Sequence, residues 1–334
     1  MEKKIDRSRE QKDFLALHGW GHKLVTPLRA DASKRTYYRL GSEESEMAIL
    51  MDCPPAYDSV VPFVTIATIL HNMGYSSPKI IAQDPKQGFL ILEDFGHLTF
   101  TNYLKAATDA TALYEAAVDV LIDLHKKWDQ VPAEKVPPYN LEKFLTESAL
   151  FIDWYYPKIM GHKISEKAAE EWQKIWTELL SPLAHKPFLV LRDYHVDNLM
   201  WLPHRKDLAR CGLLDFQDAA LGPRSYDLVS LLEDARLDVS PALQHRMLQR
   251  YLDAFPELDQ DEFLQEYYIL GAQRNSKIIG IFSRLAFRDH KTHYLSFIPR
   301  VWALLEGDLK HASLHKLKDW FDHHIPRENR KVPT

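Results

Sequence analysis

The most constraining feature of the sequence is a short polar passage near the middle of the chain. Asp193 and Asn198 lie five positions apart, and the apolar run Leu199–Leu202 follows directly. After a polar turn, a second apolar run, 212–214, ends on Asp215. Two such runs joined by a turn are typical of a β-hairpin. We therefore expect the hairpin to bring these two carboxylates and the amide to one end.

This set of side chains suits phosphoryl transfer. One carboxylate can orient the attacking hydroxyl and accept its proton, while an amide and a second carboxylate hold the magnesium that neutralises the phosphates. Magnesium prefers hard oxygen ligands, and asparagine offers one without adding negative charge. Aspartate and asparagine are also common as plain turn residues, but chance rarely supplies all three in this order.

The passage resembles the catalytic loop H-R-D-x-x-x-x-N and the metal-binding D-F-G of protein kinases. Asp193, His195 and Asn198 also match the D-x-H-x-x-N form of the aminoglycoside phosphotransferase family. The segments Asp215–Asp218, 221–223 and 226–228 are similar to that family too. The resemblance implies ATP and Mg2+ as cofactors, a protein-kinase-like two-lobed fold of the α+β class, Asp193 as the catalytic base, and Asn198 and Asp215 as metal ligands.

The same resemblance implies supporting roles for three neighbouring residues. The counterpart of Asp227 braces the catalytic loop through backbone hydrogen bonds, and we expect His195 to brace the loop rather than shuttle protons. Arg192 is placed with them as structural support of the site. Leu191 departs from the family, which usually has histidine there.

A narrower resemblance concerns the acceptor. It is to the cell-wall-recycling kinases that phosphorylate the anomeric hydroxyl of N-acetylmuramate and N-acetylglucosamine. The segments that carry it are Asp31–Ser33, Arg35, Tyr38–Arg39, Met51–Pro55 and Gln273–Lys277. It implies an ATP-dependent small-molecule phosphotransferase whose acceptor is an N-acetylated amino sugar. Two alternatives remain: a phosphotransferase for aminoglycosides or choline-like alcohols, and a catalytically silent, nucleotide-binding pseudokinase.

The pattern of apolar residues changes close to residue 95. The first part reads as three strands, a helix over residues 58–73 and two further strands. Long helical patterns follow, interrupted by the strand-rich passage with the hairpin. This order predicts a small β-rich lobe with one helix over residues 1–95. A larger, mainly helical lobe carrying the catalytic and acceptor-binding residues is expected over 96–334.

The nucleotide is expected to contact the first part of the chain. Glu93, Asp94 and Phe95 match the hinge between kinase lobes, where backbone groups meet adenine. Ser33 lies where a kinase has its phosphate-covering loop, although the usual glycines of that loop are absent.

The lysine that kinases use to hold phosphate is missing from its usual strand, residues 46–51, and the helix over residues 58–73 has no glutamate to pair with it. Because a cation must still offset the phosphate charge, we expect Arg35 or Arg39, on the neighbouring strand, to replace it. An arginine fork binds phosphate oxygens well.

The stretch 274–300 contains six basic residues against one acid. A solvated helix face explains this pattern equally well. The alternative is a wall of the acceptor pocket, with Arg274 and Lys277 as its candidates, that would repel a cationic aminoglycoside but not a sugar carboxylate.

Composition bears on which kinds of partner and which compartment we expect for the protein. A net charge of −5 disfavours nucleic-acid binding, which normally needs a basic excess. No run approaches the roughly 18 apolar residues of a membrane-spanning helix, and no export signal is evident. Two isolated cysteines fit a reducing compartment. These observations favour a cytoplasmic enzyme with a small-molecule partner, and they leave the oligomeric state open.

Overall fold

The structure is a computed structural model that describes residues 7–28, 35–42, 46–106 and 109–333. The strands are β1 (Val25–Pro27), β2 (Thr36–Leu40), β3 (Ala48–Asp52), β4 (Ile80–Asp84), β5 (Phe89–Glu93), β6 (Phe188–Val190), β7 (Leu199–Trp201), β8 (Cys211–Leu213) and β9 (Ala220–Gly222). The helices are α1 (Arg7–Leu17), α2 (Val61–Asn72), α3 (Phe100–Ala106), α4 (Thr111–Lys126), α5 (Leu141–Leu150), α6 (Tyr156–Met160), α7 (Glu166–Leu180), α8 (Ser225–Leu232), α9 (Pro241–Asp253), α10 (Gln260–Phe287), α11 (Ile298–Asp308) and α12 (His315–His324).

The chain divides into two compact units. The first contains residues 1–108 and 197–218, and the second contains residues 109–196 and 219–334. The hairpin with Asn198 and Asp215 therefore belongs to the first unit, whereas Asp193 belongs to the second. The predicted boundary after residue 95 stays a prediction.

The first unit is built on an antiparallel sheet with the strand order β1-β2-β3-β5-β4. The predicted order of three strands, a helix and two strands is correct. The prediction of one helix was incomplete, because α1 was not predicted. This helix is mostly polar and buries only Phe14 and Leu15, so its apolar periodicity is weak. Phe14 stacks on Phe89 of the sheet at a centroid distance of 5.3 Å.

The predicted hairpin also lies in the first unit. Its strands β7 and β8 are antiparallel, with Leu199 opposite Leu213 and Trp201 opposite Cys211. The hairpin is joined to the remainder of the unit because the Leu213 N–H donates to the carbonyl of Ser76 at 2.8 Å. This register places Asn198 and Asp215 at the same end of the hairpin.

The second unit is mainly helical and is organised around α10, whose 28 residues make it long enough to contact several other helices. The Asp259 side chain caps its first turn by accepting a hydrogen bond from the Glu262 N–H at 3.0 Å. The short strands β6 and β9 pair antiparallel, with Val190 opposite Ala220. This pairing brings the segment that follows β6 close to the segment that leads into α8. Within the described residues, no helix combines the length and apolar character needed to cross a membrane.

Candidate active site

The first unit contains a cavity of about 350 Å3 next to the hairpin. Ligand pockets commonly have volumes of roughly 300–1,000 Å3. The sheet supplies part of the wall, and the hairpin supplies another part. The lining residues that the sequence singled out are Arg35, Arg39, Glu93, Asp94, Phe95, Asn198 and Asp215.

Asn198 and Asp215 approach each other at the hairpin end. The Asn198 Nδ2 atom is 3.4 Å from Asp215 Oδ2. The other carboxylate oxygen of Asp215 accepts a hydrogen bond from Gln217 Nε2 at 2.8 Å. Asp215 has a φ of +56°, a left-handed conformation that local contacts must hold in place. The buried Gln217 side chain supplies one such contact.

These side chains fit a magnesium ion by their chemistry. Both carry hard oxygen atoms, both line the cavity, and together they contribute a single negative charge. Magnesium is typically held by one or two carboxylates together with phosphate oxygens and water. The donor set is therefore suited to a metal that arrives with a nucleotide.

The two candidate arginines lie on one face of the sheet. Arg35 directly precedes β2, and residues 35, 37 and 39 alternate along the strand, so their side chains point the same way. Arg39 forms a forked ion pair with Asp94, with Nε–Oδ2 and Nη2–Oδ1 distances of 2.5 and 3.0 Å. Arg35 donates to Asp58 at 2.5 Å. Each arginine thus already has a carboxylate partner.

The segment that follows β5 is held by side-chain contacts. Arg205 forms an ion pair with Glu93, and its guanidinium lies 5.0 Å from the centre of the Phe95 ring. Asp94 accepts a hydrogen bond from the Gly96 N–H at 2.7 Å in addition to its pair with Arg39. Gly96 has a φ of +84°, which glycine adopts without steric cost. The three residues predicted at the hinge therefore lie at the end of β5 and in the anchored segment that directly follows it.

Asp193 is half-buried in a tight loop of the second unit. Its N–H donates to the Leu191 carbonyl at 2.9 Å, and its carbonyl accepts from the His195 N–H at 3.1 Å. The Asp227 carboxylate is fully buried and accepts from the backbone N–H groups of Leu191 and Arg192, at 2.6 and 2.8 Å. Arg192 has a φ of +71°, so these hydrogen bonds hold a backbone conformation that is strained for arginine.

The electrostatics of this loop follow from burial. Burial raises the pKa of Asp227 to about 7, although its two backbone donors favour the charged form. His195 is 7 % exposed, and burial lowers the pKa of its imidazole. A neutral imidazole suits a residue that supports the loop.

The remaining predicted residues fall in different places. Arg274 is 5 % exposed, and its guanidinium donates to the Glu233 carbonyl at 3.3 Å. Its side chain therefore lies in the protein interior. The Lys277 ammonium lies 3.1 Å from the Glu147 carboxylate. Their acceptor-binding roles stay predictions, and Ser33 lies outside the described residues.

Similarity to known proteins identifies the family of this chain. The model of the phosphotransferase enzyme family APH matches residues 24–264. An N-acetylmuramate/N-acetylglucosamine kinase of Caulobacter vibrioides is 36 % identical, over 98 % of this chain and 99 % of the relative. A kinase of the same name from Pseudomonas aeruginosa is 33 % identical, over 88 % of this chain and 87 % of the relative.

The chain belongs to the phosphotransferase enzyme family.

Membership makes the protein an ATP-dependent kinase that acts on a hydroxyl group. The choline kinase LicA from Streptococcus pneumoniae superposes with a TM-score of 0.61 at 12 % identity, covering 91 % of this chain and all of that one. This likeness concerns the fold alone, and it confirms the predicted α+β, protein-kinase-like class.

Some residues of this phosphotransferase were missed by the sequence analysis. Gln217, which holds Asp215, stands at the glycine position of the kinase D-F-G, and that substitution was the available signal. Asp58, whose carboxylate pairs with Arg35, was also missed, and Asp94 was predicted only for the hinge and not as the partner of Arg39. No sequence pattern marks these partners, because 23 and 55 residues separate the pairs.

Proposed function

We propose that this phosphotransferase transfers the γ-phosphate of ATP to the anomeric hydroxyl of N-acetylmuramate and N-acetylglucosamine, with magnesium as the metal. The observation that carries the proposal is the match to a kinase named for both sugars over nearly the full length of both chains. The motifs of the catalytic loop and the hairpin support it independently. A small-molecule kinase that draws on cellular ATP fits a cytoplasmic location.

Each residue that we propose to act in the reaction has a separate role. Asp193 orients the acceptor hydroxyl and takes its proton as the oxygen attacks phosphorus, and the bond to the ADP oxygen breaks. Asp227 keeps the Asp193 loop in its conformation through two backbone N–H groups. Asn198 and Asp215 would hold magnesium, and Gln217 orients the Asp215 carboxylate. When bound, magnesium would neutralise phosphate charge as it shifts toward ADP.

The acceptor is tested with labelled ATP and four candidates: N-acetylmuramate, N-acetylglucosamine, kanamycin and choline. We expect transfer to the two sugars and none to kanamycin or choline. The product should lose its reactivity as a reducing sugar, because phosphorylation at the anomeric position blocks ring opening. The borohydride-reduced alditol of each sugar, which lacks an anomeric hydroxyl, is the matched control and should accept no phosphate.

Three outcomes would contradict this proposal. Transfer to kanamycin or choline alone would assign the other acceptor class. A phosphorylated product that keeps its reactivity as a reducing sugar would move the phosphorylated position away from the anomeric carbon. Binding of ATP without transfer to any acceptor would favour a silent nucleotide-binding module.

Arg35 is our candidate for the cation that replaces the missing lysine. The Arg39 guanidinium is paired with the Asp94 carboxylate, and its Nη2 atom also donates to the Gly96 carbonyl at 2.9 Å. The Asp58 partner of Arg35 has a side chain that is 39 % exposed, so solvent weakens this pair. We expect Arg35 to turn toward phosphate when ATP binds, and Arg39 to brace the segment after β5.

Arg35→Met should therefore raise the dissociation constant for Mg·ATP on the order of tenfold or more, the value of a lost charge-assisted hydrogen bond. Isothermal titration calorimetry measures the change. Arg9→Met is the matched control in the same unit, because Arg9 lies 3.9 Å from Asp13 and both side chains are exposed. If a variant lacking both Arg35 and Arg39 retained its ATP affinity and its turnover rate, neither arginine would take the role of the missing kinase lysine.

A further inference from the structure

A buried cluster of charged and phenolic side chains lies beside the Asp193 loop in the second unit. Its centre is the Glu147 carboxylate, which accepts hydrogen bonds from the Arg192 guanidinium and the Tyr139 hydroxyl. The Lys277 ammonium lies 3.1 Å from the same carboxylate. The Tyr226 hydroxyl lies 3.2 Å from both Tyr139 and Lys277. We call these five residues the Glu147 cluster.

The cluster is held together by charge. Its two cations and one carboxylate have side chains that are only 10–12 % exposed. Burial raises the pKa of Glu147, but the charges of Lys277 and Arg192 outweigh burial, so this pKa lies below its ordinary value. Removing the carboxylate from such a buried set would leave two like charges close together without a counter-charge. The members therefore fix one another's positions.

The close packing of two helices explains how Lys277 reaches Glu147. A Cβ atom added at Gly280 of α10 would lie 2.3 Å from the backbone carbon of Leu150, at the end of α5. Only glycine permits this approach. Lys277 lies one turn before Gly280, and Glu147 lies one turn before Leu150. The crossing at Gly280 thus brings the lysine and the carboxylate together.

Arg192 connects the cluster to the Asp193 loop. Asp227 holds the Arg192 backbone N–H, and Glu147 holds its guanidinium, so the residue is anchored at both ends. Arg192 shares a peptide bond with Asp193, and its left-handed backbone sets the direction in which the chain enters that residue. Lys277 is also within electrostatic reach of Asp193. Burial and, less strongly, Arg192 lower the pKa of Lys277, but Glu147, Tyr226 and, least of these, Asp193 raise it, and the net shift is upward.

We propose that Glu147 is a positioning residue for the catalytic base, acting through Arg192 and Lys277 on the conformation of the Asp193 loop. This inference rests on the proposed function, because it takes Asp193 to be the base. It assigns the buried basic residue Lys277 to the base loop, rather than to the acceptor wall that the sequence suggested.

The test compares the turnover number, the KM for ATP and the melting temperature of purified variants, with N-acetylglucosamine as acceptor. Glu147→Gln and Lys277→Met should each lower kcat by about 10- to 100-fold, the scale of a base displaced by roughly 1 Å. The KM for ATP should change less than about threefold. Lys277→Arg should recover most of the loss, because it restores the charge. Lys316→Met, which removes an exposed pair with Glu178, is the control and should match wild type.

The outcomes separate this inference from the proposed function. The inference is overturned if folded Glu147→Gln and Lys277→Met have the kcat of the wild type. It is also overturned if the loss of activity in each variant equals the fraction of the protein that is unfolded. If the charge variants do not fold, Tyr226→Phe provides the test, because it removes one hydroxyl and no charge. A kcat at least threefold lower than that of the wild type supports the positioning role, and an unchanged kcat refutes it. Full turnover in Asp193→Asn would instead show that the base assignment itself is wrong.

Discussion

Replacement of Asp193 by asparagine should lower kcat by on the order of 10²- to 10⁴-fold, the usual contribution of a positioned general base. Asparagine has nearly the same size but cannot accept a proton from the acceptor hydroxyl. Two hydrogen bonds of the loop use the backbone N–H and carbonyl of this residue, at 2.9 and 3.1 Å, so the substitution leaves these two intact. The dissociation constant for Mg·ATP should stay nearly unchanged.

Steady-state kinetics and calorimetry together check this expectation. Asp319→Asn, at an exposed position of α12 in the same unit, serves as the control for removal of an aspartate charge. The assignment of Asp193 as the base fails if Asp193→Asn turns over at nearly the normal rate. It also fails if ATP affinity and turnover fall in parallel, since that would place the residue in nucleotide binding.

Local patterns predicted much of the fold. The strands of the first sheet alternate or are apolar throughout and are separated by clear turns, so their order along the chain was predicted correctly. The helix α2, Val61–Asn72, lies within the predicted range of residues 58–73. The hairpin itself was predicted from two short apolar runs joined by one turn.

Contacts between residues far apart in sequence could not be predicted. The Arg39–Asp94 pair spans 55 positions, and the Arg192–Glu147 pair spans 45. Such pairs depend on how the helices and strands pack against one another, and the apolar periodicity of the sequence does not predict that packing. Lys277 illustrates the consequence: a basic residue in a basic stretch reads as exposed, whereas packing at Gly280 buries it against a carboxylate.

Replacement of Asp215 by alanine should reduce metal-dependent turnover to background and weaken binding of Mg·ATP. Asp215 contributes the carboxylate of the proposed metal pair, and Asn198, whose Nδ2 atom lies 3.4 Å away, adds only a neutral amide. Alanine therefore removes the negative charge that attracts the cation. It also leaves the Gln217 amide without its carboxylate partner in a buried position.

Binding isotherms for ATP with and without magnesium isolate the metal effect from catalysis. In the wild-type protein magnesium should tighten ATP binding, and in Asp215→Ala this difference should shrink or vanish. Asp13→Ala, an exposed aspartate of the same unit, should preserve the difference. Gln217→Leu should give an intermediate loss, because Asp215 keeps its charge but loses a neighbour that orients it. If magnesium tightens ATP binding equally in the wild type and Asp215→Ala, the metal is held elsewhere, and the hairpin end is not its site.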